Sequence, residues 1–246
     1  NEIVLLSYYI AAINIESTFA ELNHQEYKPF EGIVLTDTFE STEQEDTLDD
    51  SFFGTNDERL KRQQEVPITA IIGNPPYSIG QSNANDNNKN IKYINLNKRI
   101  EETYSKYSNA NLNKGLYDSY IQAIRWASDR LGDSGVIGFI TPNSIIDKGS
   151  FDGFRKTLYE EFNHIYSINL RGAIKGKVGV DATKEGQSVF NILIGTAITI
   201  LVKDDSESHS INYFDIGDFL NRNKKLKKIS ELKSIKNISW NTVYPD

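Results

Sequence analysis

Short apolar runs recur along this chain, at Ile33–Leu35, Ile68–Ile72, Val136–Ile140, Ile165–Leu170 and Ala197–Val202. Most are continuously apolar rather than alternating, the pattern of a strand covered on both faces. Between them lie stretches with helical spacing: Ser7–Leu22, Leu116–Leu131 and Phe151–Phe162. In the second of these, Tyr117, Tyr120, Ile121, Ile124 and Leu131 share one face, and Gly132 supplies a stop signal. Strands alternating with helices predict an α/β fold on a mostly parallel sheet.

Two segments break the pattern. Glu40–Gln64 is acidic and polar, with a short helix expected around Asp57–Gln64. Ser82–Asn97 is rich in asparagine and reads as a loop, either a closing element or a surface insertion. After about Asp205 the charge balance changes. Residues 1–205 are therefore expected to form one core, and 206–246 a linker and the start of a following module.

In parallel α/β sheets ligands bind beyond the carboxyl ends of the strands. Glu2, Asp37 and Asn74 each fall at such an end or just past it. They are spaced 35 and 37 residues apart, about one strand–helix–strand repeat each. Three polar groups are expected along one rim of one sheet.

The sharpest local signal is Asn74-Pro75-Pro76-Tyr77, directly after the run Ile68–Ile72. The prolines fix φ and force an extended path. They hold the Asn74 side-chain oxygen and the Pro75 carbonyl as two preset acceptors. Two acceptors aimed at an exocyclic amino group would localise the nitrogen lone pair, which an aromatic ring otherwise delocalises. Tyr77 would stack on the ring face. The plain alternative is a strand ending in an ordinary turn, since Asn and Pro both form turns.

Composition narrows the chemistry. The chain has 246 residues and no cysteine. Disulfides, thiolate metal sites and a cysteine nucleophile are excluded within it, and with them methylation at cytosine carbon 5. His24, His164 and His209 are scattered without ligand spacing, so no metal site is expected. No phosphate-binding loop of the GxxxxGK type is present. No apolar run approaches a membrane span, and no signal-peptide pattern opens the chain; a cytoplasmic location is expected. Net charge is −7, yet lysines collect at Lys175 and Lys177 and at Lys224, Lys225, Lys227 and Lys228. These clusters read equally as a local basic face or as solvated charge.

The segment 68–77 resembles motif IV of the amino-methyltransferases that use S-adenosylmethionine, in its adenine-N6 DNA form. GVIGFITPNSIIDKGSFDGFR (135–155) is similar to the strand and helix that follow motif IV in the large methyltransferases of restriction–modification systems. NEIVLLSYYIAAINI (1–15) resembles motif II, GIVLTDTFE (32–40) motif III, and SVFNILIGTAITILVKD (188–204) the last core strands. The likeness covers about residues 1–204 and is strongest to single-chain enzymes that join a helicase-like motor to a methyltransferase.

The resemblance implies a Rossmann-like methyltransferase sheet, mostly parallel with an antiparallel last strand. The first strand and the glycine-rich motif I are expected before residue 1, the chain being a fragment or processed product that begins at Asn1. It implies methyl transfer from S-adenosylmethionine to an adenine flipped out of double-stranded DNA, in a bacterial restriction–modification enzyme. Asn74, Pro75, Pro76 and Tyr77 would form the base site. Glu2 would bind the cofactor ribose unless it is a frayed terminal carboxylate. Asp37 would bind the cofactor adenine amino group unless it is a turn or N-cap residue. Ile3 and Phe39 would sandwich that adenine, or simply pack in the core. Phe190 would press against the extruded base, or enter a strand as a core residue. Arg171, Lys175 and Lys177 would touch phosphates, or lie in a solvated loop. Helicase, nuclease and target-recognition parts would belong to the parent chain. Enzymes acting on RNA bases or a protein glutamine share the same turn, and a non-catalytic binding fragment is the third alternative.

Overall fold

The computed structural model describes residues 1–23, 27–40, 54–77, 93–110 and 114–245. The central part of the acidic segment (41–53) and most of the asparagine-rich one (82–92) lie outside these. The chain divides into two compact units, residues 1–67 with Lys92–Leu96, and Ile68–Ile91 with Asn97–Asp246.

The first unit holds α1 (Leu5–Asn23) and α2 (Gly54–Glu65). Ile33–Leu35 does not become a full strand. Its pairing is a single parallel bridge between Leu35 and Glu2, bracketed by Glu2 N–H to the Val34 carbonyl (3.0 Å) and Thr36 N–H to the Glu2 carbonyl (2.9 Å). The Asn56 side chain supplies the partner that a neighbouring strand would give: its amide oxygen accepts from Leu35 N–H at 2.8 Å, and its amide nitrogen donates to the Leu35 carbonyl at 3.0 Å. Three apolar residues are too few to extend the ladder against that competition. Within α1 the buried residue is Glu16, which accepts from the Tyr27 hydroxyl (2.6 Å) and Phe30 N–H (2.7 Å).

The second unit is built on a six-stranded sheet. Its strands are β1 (Ile68–Gly73), β2 (Leu131–Pro142), β3 (His164–Arg171), β4 (Thr196–Lys203), β5 (Ser210–Asp215) and β6 (Asn241–Val243), in the order β1-β2-β4-β3-β5-β6. β1, β2, β3 and β5 run one way, while β4 and β6 run the other. The antiparallel β4 is the expected last core strand. Residues 206–246, expected as a linker and a new module, add β5, α8 (Arg222–Leu232) and β6 to the same sheet. β1 also departs from a strand covered on both faces: it lies at the end of the strand order, and Ile72 is 88% exposed.

Between β1 and β2 lies α3 (Ile94–Ile100), just past β2 lies the short α5 (Ser144–Asp147), and three longer helices carry much of the buried packing of this unit. α4 (Ser119–Arg130) turns Tyr120, Ile121, Ile124 and Ala127 inward. It stops where Leu131 goes extended and β2 begins, one residue ahead of Gly132. α6 (Asp152–Glu161) starts at an acidic residue, which suits the positive end of a helix. The Asp152 carboxylate accepts from the Ser108 hydroxyl (2.5 Å) and from Asn109 N–H (2.7 Å), tying the helix start to the preceding segment. Arg125, 2% exposed, bridges Asp129 of its own helix and Glu161 of α6, at 2.7 and 2.8 Å. Its guanidinium lies 5.3 Å from the buried Tyr104 ring. α8 closes a core of Ile168, Leu170, Val189, Ile216 and Ile238 with Ile229 and Leu232. The lysine-rich run in α8 is only half a solvent face. Lys225 is fully buried and donates to the Leu170 and Glu185 carbonyls (2.8 and 3.0 Å), and Lys228 donates to the Ile216 carbonyl (2.6 Å).

Candidate active site

β1 ends at Gly73, paired in parallel register with Phe139 of β2. A Cβ on Gly73 would lie 3.0 Å from the Phe139 ring, so glycine lets the strand end close against its neighbour. The chain then leaves the sheet through Asn74, Pro75, Pro76 and Tyr77. Neither proline can donate to a ladder, so pairing stops here. Asn74 and Pro76 are exposed, and Pro75 and Tyr77 are half-buried. The Tyr77 hydroxyl reaches Asn74 Oδ1 at 3.4 Å, a long bond that a better donor would displace. The Tyr77 ring meets Tyr120 edge to face, with centroids 6.0 Å apart at 85°. Burial pushes the Tyr77 phenol up to about 12, so it is neutral at physiological pH.

The other parallel strand ends continue the rim. Past β2, Asn143 Nδ2 donates to Asn169 Oδ1 at 3.1 Å. Asn169 Nδ2 donates to the Tyr213 hydroxyl (3.0 Å), which donates to Asp215 (3.0 Å). Gly195 makes room for this network, since a Cβ there would come within 2.5 Å of the Asn143 amide. Arg171 closes it with ion pairs to Asp215 (2.6 Å) and Asp218 (2.7 Å). Its guanidinium thus has internal partners rather than an open approach to a phosphate. Burial alone would raise the Asp215 carboxyl; Arg171, Gly217 N–H and Tyr213 outweigh it and hold it below the usual range.

Beyond Arg171, Gly172 N–H and Ala173 N–H both donate to Glu185 Oε2, and Lys177 pairs with Glu185 Oε1. Lys175 is exposed. α7 (Gly179–Glu185) buries no residue, and Val178, Val180 and Leu193 are 84%, 73% and 58% exposed. Phe190 is 40% exposed in the turn before β4, so it is not a core residue entering a strand.

Glu2 and Asp37 belong to the first unit. Glu2 Oε1 accepts from Ile3 and Val4 N–H, both at 2.9 Å, just ahead of α1. Asp37 Oδ1 accepts from Phe39 N–H (2.9 Å) as a turn residue does, and Oδ2 accepts from the Tyr93 hydroxyl (2.7 Å). Phe39 packs edge to face on Tyr93, and Ile3 is 48% exposed. Among the described residues no group of three or more His, Asp or Glu is placed to hold a metal ion. No described helix is long and apolar enough to cross a membrane.

The sequence marks Tyr120 only as a helix-face residue and Lys225 only as one of a lysine cluster, and it assigns no role to Asn143 or Asn169. Of these, Asn143 carried a signal, being a polar residue just past a buried strand.

Residues 2–174 match the family described as Eco57I restriction-modification methylase. This chain belongs to that family. Over its whole length the chain is 61% identical, with a TM-score of 0.95, to a nuclease-deletion mutant of the Type ISP restriction-modification enzyme LlaGI, solved in complex with a DNA substrate mimic. It is 52% identical, with a TM-score of 0.94, to the ATP-dependent Type ISP restriction-modification enzyme LlaBIII bound to DNA. Against DrdV in a DNA complex the figures are 39% and 0.88. The chain spans 20%, 17% and 24% of those three chains. No curated protein matches it.

Proposed function

We propose that this chain is the catalytic core of a DNA adenine-N6 methyltransferase, working within a larger bacterial restriction–modification enzyme. The observation that carries the reading is the corner at the end of β1. An exposed amide and a proline carbonyl stand beside a half-buried phenol ring. Asn74 Oδ1 and the Pro75 carbonyl accept the two hydrogens of a flipped adenine's amino group. The nitrogen lone pair is then drawn out of the ring and turned outward as nucleophile. Tyr77, kept neutral by burial, stacks on the base, and Phe190 offers a second aromatic contact. Acceptors fixed before the substrate arrives cost no reorganisation as positive charge develops on nitrogen.

The chain's acceptors suit S-adenosylmethionine in the first unit. Glu2 has one carboxylate oxygen ordered by the start of α1 and a second to offer ribose hydroxyls. The Asp37 carboxylate, oriented by Phe39 N–H and Tyr93, would accept from the cofactor's amino group. When bound, this cofactor supplies an electrophilic methyl group, and no enzyme nucleophile is required.

Double-stranded DNA is the proposed substrate, and the DNA complexes of LlaGI, LlaBIII and DrdV support it. Lys175, which is exposed, is the proposed phosphate contact in this chain, with Lys177 available only by leaving its pair with Glu185. Motor, nuclease and target-recognition parts are proposed for the rest of the parent chain. Replacing Asn74 with Ala in the full-length enzyme tests the reading. Loss of one preset acceptor should lower methyl transfer to duplex DNA by about 10²–10³-fold, with cofactor affinity unchanged in a calorimetric titration. Full activity in that variant would end the proposal.

A further inference from the structure

Tyr77 does not stand alone at its corner. Its ring packs edge to face against Tyr120, with centroids 6.0 Å apart and planes at 85°. Tyr120 is 3% exposed and sits in the first turn of α4, between the buried Leu116 and Ile121. The Tyr77 hydroxyl reaches Asn74 Oδ1. A continuous line of contacts thus runs from the buried Tyr120 through the Tyr77 ring to the amide at the end of β1. The corner itself contributes little rigidity at Tyr77, which lies beyond both prolines. An edge-to-face pair has a preferred plane angle, so a ring that cannot turn fixes the plane of the ring it touches.

We propose that Tyr120 is the positioning residue of the base platform: held by its burial in α4, it sets the plane of the Tyr77 ring. The inference rests on the reading of Asn74 and Tyr77 as the adenine site, and adds a residue that no motif of that site contains. Tyr120 touches neither base nor cofactor in this scheme.

A double-mutant cycle in the full-length enzyme tests it, because a residue acting only through Tyr77 has nothing to act on once that ring is gone. Tyr77→Leu, Tyr120→Leu and the double variant are compared in kcat and in KM for duplex DNA. Tyr120→Leu is expected to lower kcat by tenfold or more with KM changed less than threefold, and to cost no further kcat in the Tyr77→Leu background. Full additivity would overturn the proposal and leave the adenine reading intact. Full activity in Tyr77→Leu would instead overturn that reading itself. If Tyr120→Leu does not fold, Tyr120→Met replaces it in the cycle. Tyr120→Phe keeps the ring that meets Tyr77, so its kcat should stay within threefold of the wild type. A tenfold loss of kcat in Tyr120→Phe would overturn the ring contact as the source of the effect.

Discussion

At the scale of the residue, Tyr77 offers two groups, a ring and a hydroxyl, and their energetics separate them. Stacking a base on an aromatic ring is worth about 1–3 kcal/mol by alanine substitution. The hydroxyl contributes a single bond of 3.4 Å to Asn74, near the limit at which such contacts count. Tyr77→Ala should therefore cost roughly 5- to 150-fold in methyl transfer, whereas Tyr77→Phe should stay within about threefold. Initial rates on duplex DNA distinguish the two, and equal losses would place the chemistry in the phenol instead. The sign of the titration is also fixed. A folded-state value raised to about 12 from 10.0 means that stability from the neutral phenol is complete below pH 10 and is lost as pH rises through 12. The rate profile of the wild-type enzyme should consequently show no limb from Tyr77 below pH 10. Asp37 was visible as an acidic residue just past a short apolar run, and Glu2 by its spacing from Asp37 and by the resemblance. Their committed oxygens were not, because helix-start and turn bonds depend on backbone geometry rather than on residue type.

At the scale of the element, one tightly constrained contact is made by an absent side chain. Gly153, in the first turn of α6, lies so close to the segment before it that a Cβ would stand 2.2 Å from the Tyr104 carbonyl oxygen and 2.5 Å from Ser108 N. Both are backbone atoms and cannot swing away. Gly153→Ala should destabilise the fold by about 3 kcal/mol or more, despite the ordinary helical gain of alanine over glycine, about 1 kcal/mol. Urea unfolding of the two proteins measures the difference, and a stabilised variant would refute the contact. Nothing in the sequence announces this, since a glycine near a helix start reads as punctuation. By contrast, the strands β1 to β4 and the helices α4 and α6 were legible, because buried runs and helical spacing are local patterns. The lysines of α8 carried a usable pattern that composition obscured. Lys225 and Lys228 fall on the helical face shared with Ile229 and Leu232, which packs on the core. Their ammonium groups turn in to cap carbonyls, while Lys227 stays outside in a pair with Glu231. The β5–β6 extension was not legible, because the half-buried residues of β5 and the exposed residues of β6 are neither continuously apolar nor strictly alternating.

At the scale of the whole molecule, two electrostatic effects oppose one another as pH falls. The chain carries −7 at pH 7, so the first protons taken up relieve repulsion and favour the compact state. Specific carboxylates act the other way. At Asp129, Glu185 and Asp215 burial alone would raise the carboxyl, yet each is held below its ordinary value. Arg99 and Arg125 do this for Asp129, Lys177 and Ala173 N–H for Glu185, and Arg171 with Gly217 N–H for Asp215. A carboxyl lowered in the folded state contributes stability that is complete above its unfolded value, 3.8 for Asp and 4.5 for Glu. That stability disappears as pH falls through the folded value. The melting temperature should thus hold or rise slightly from pH 7 to about 5, then fall steeply below about 4.5. Salt separates the two effects: about 0.5 M NaCl should flatten the upper range, where exposed charges dominate, and leave most of the acid limb, where the pairs are partly buried. Asp215→Asn sharpens the test. It leaves Arg171 without one of its two carboxylates, so the variant should melt lower at pH 7 and lose less on going from pH 4.5 to 3. A variant with the wild-type slope would mean that the Arg171–Asp215 pair carries none of the acid sensitivity, and that the charge balance alone governs it.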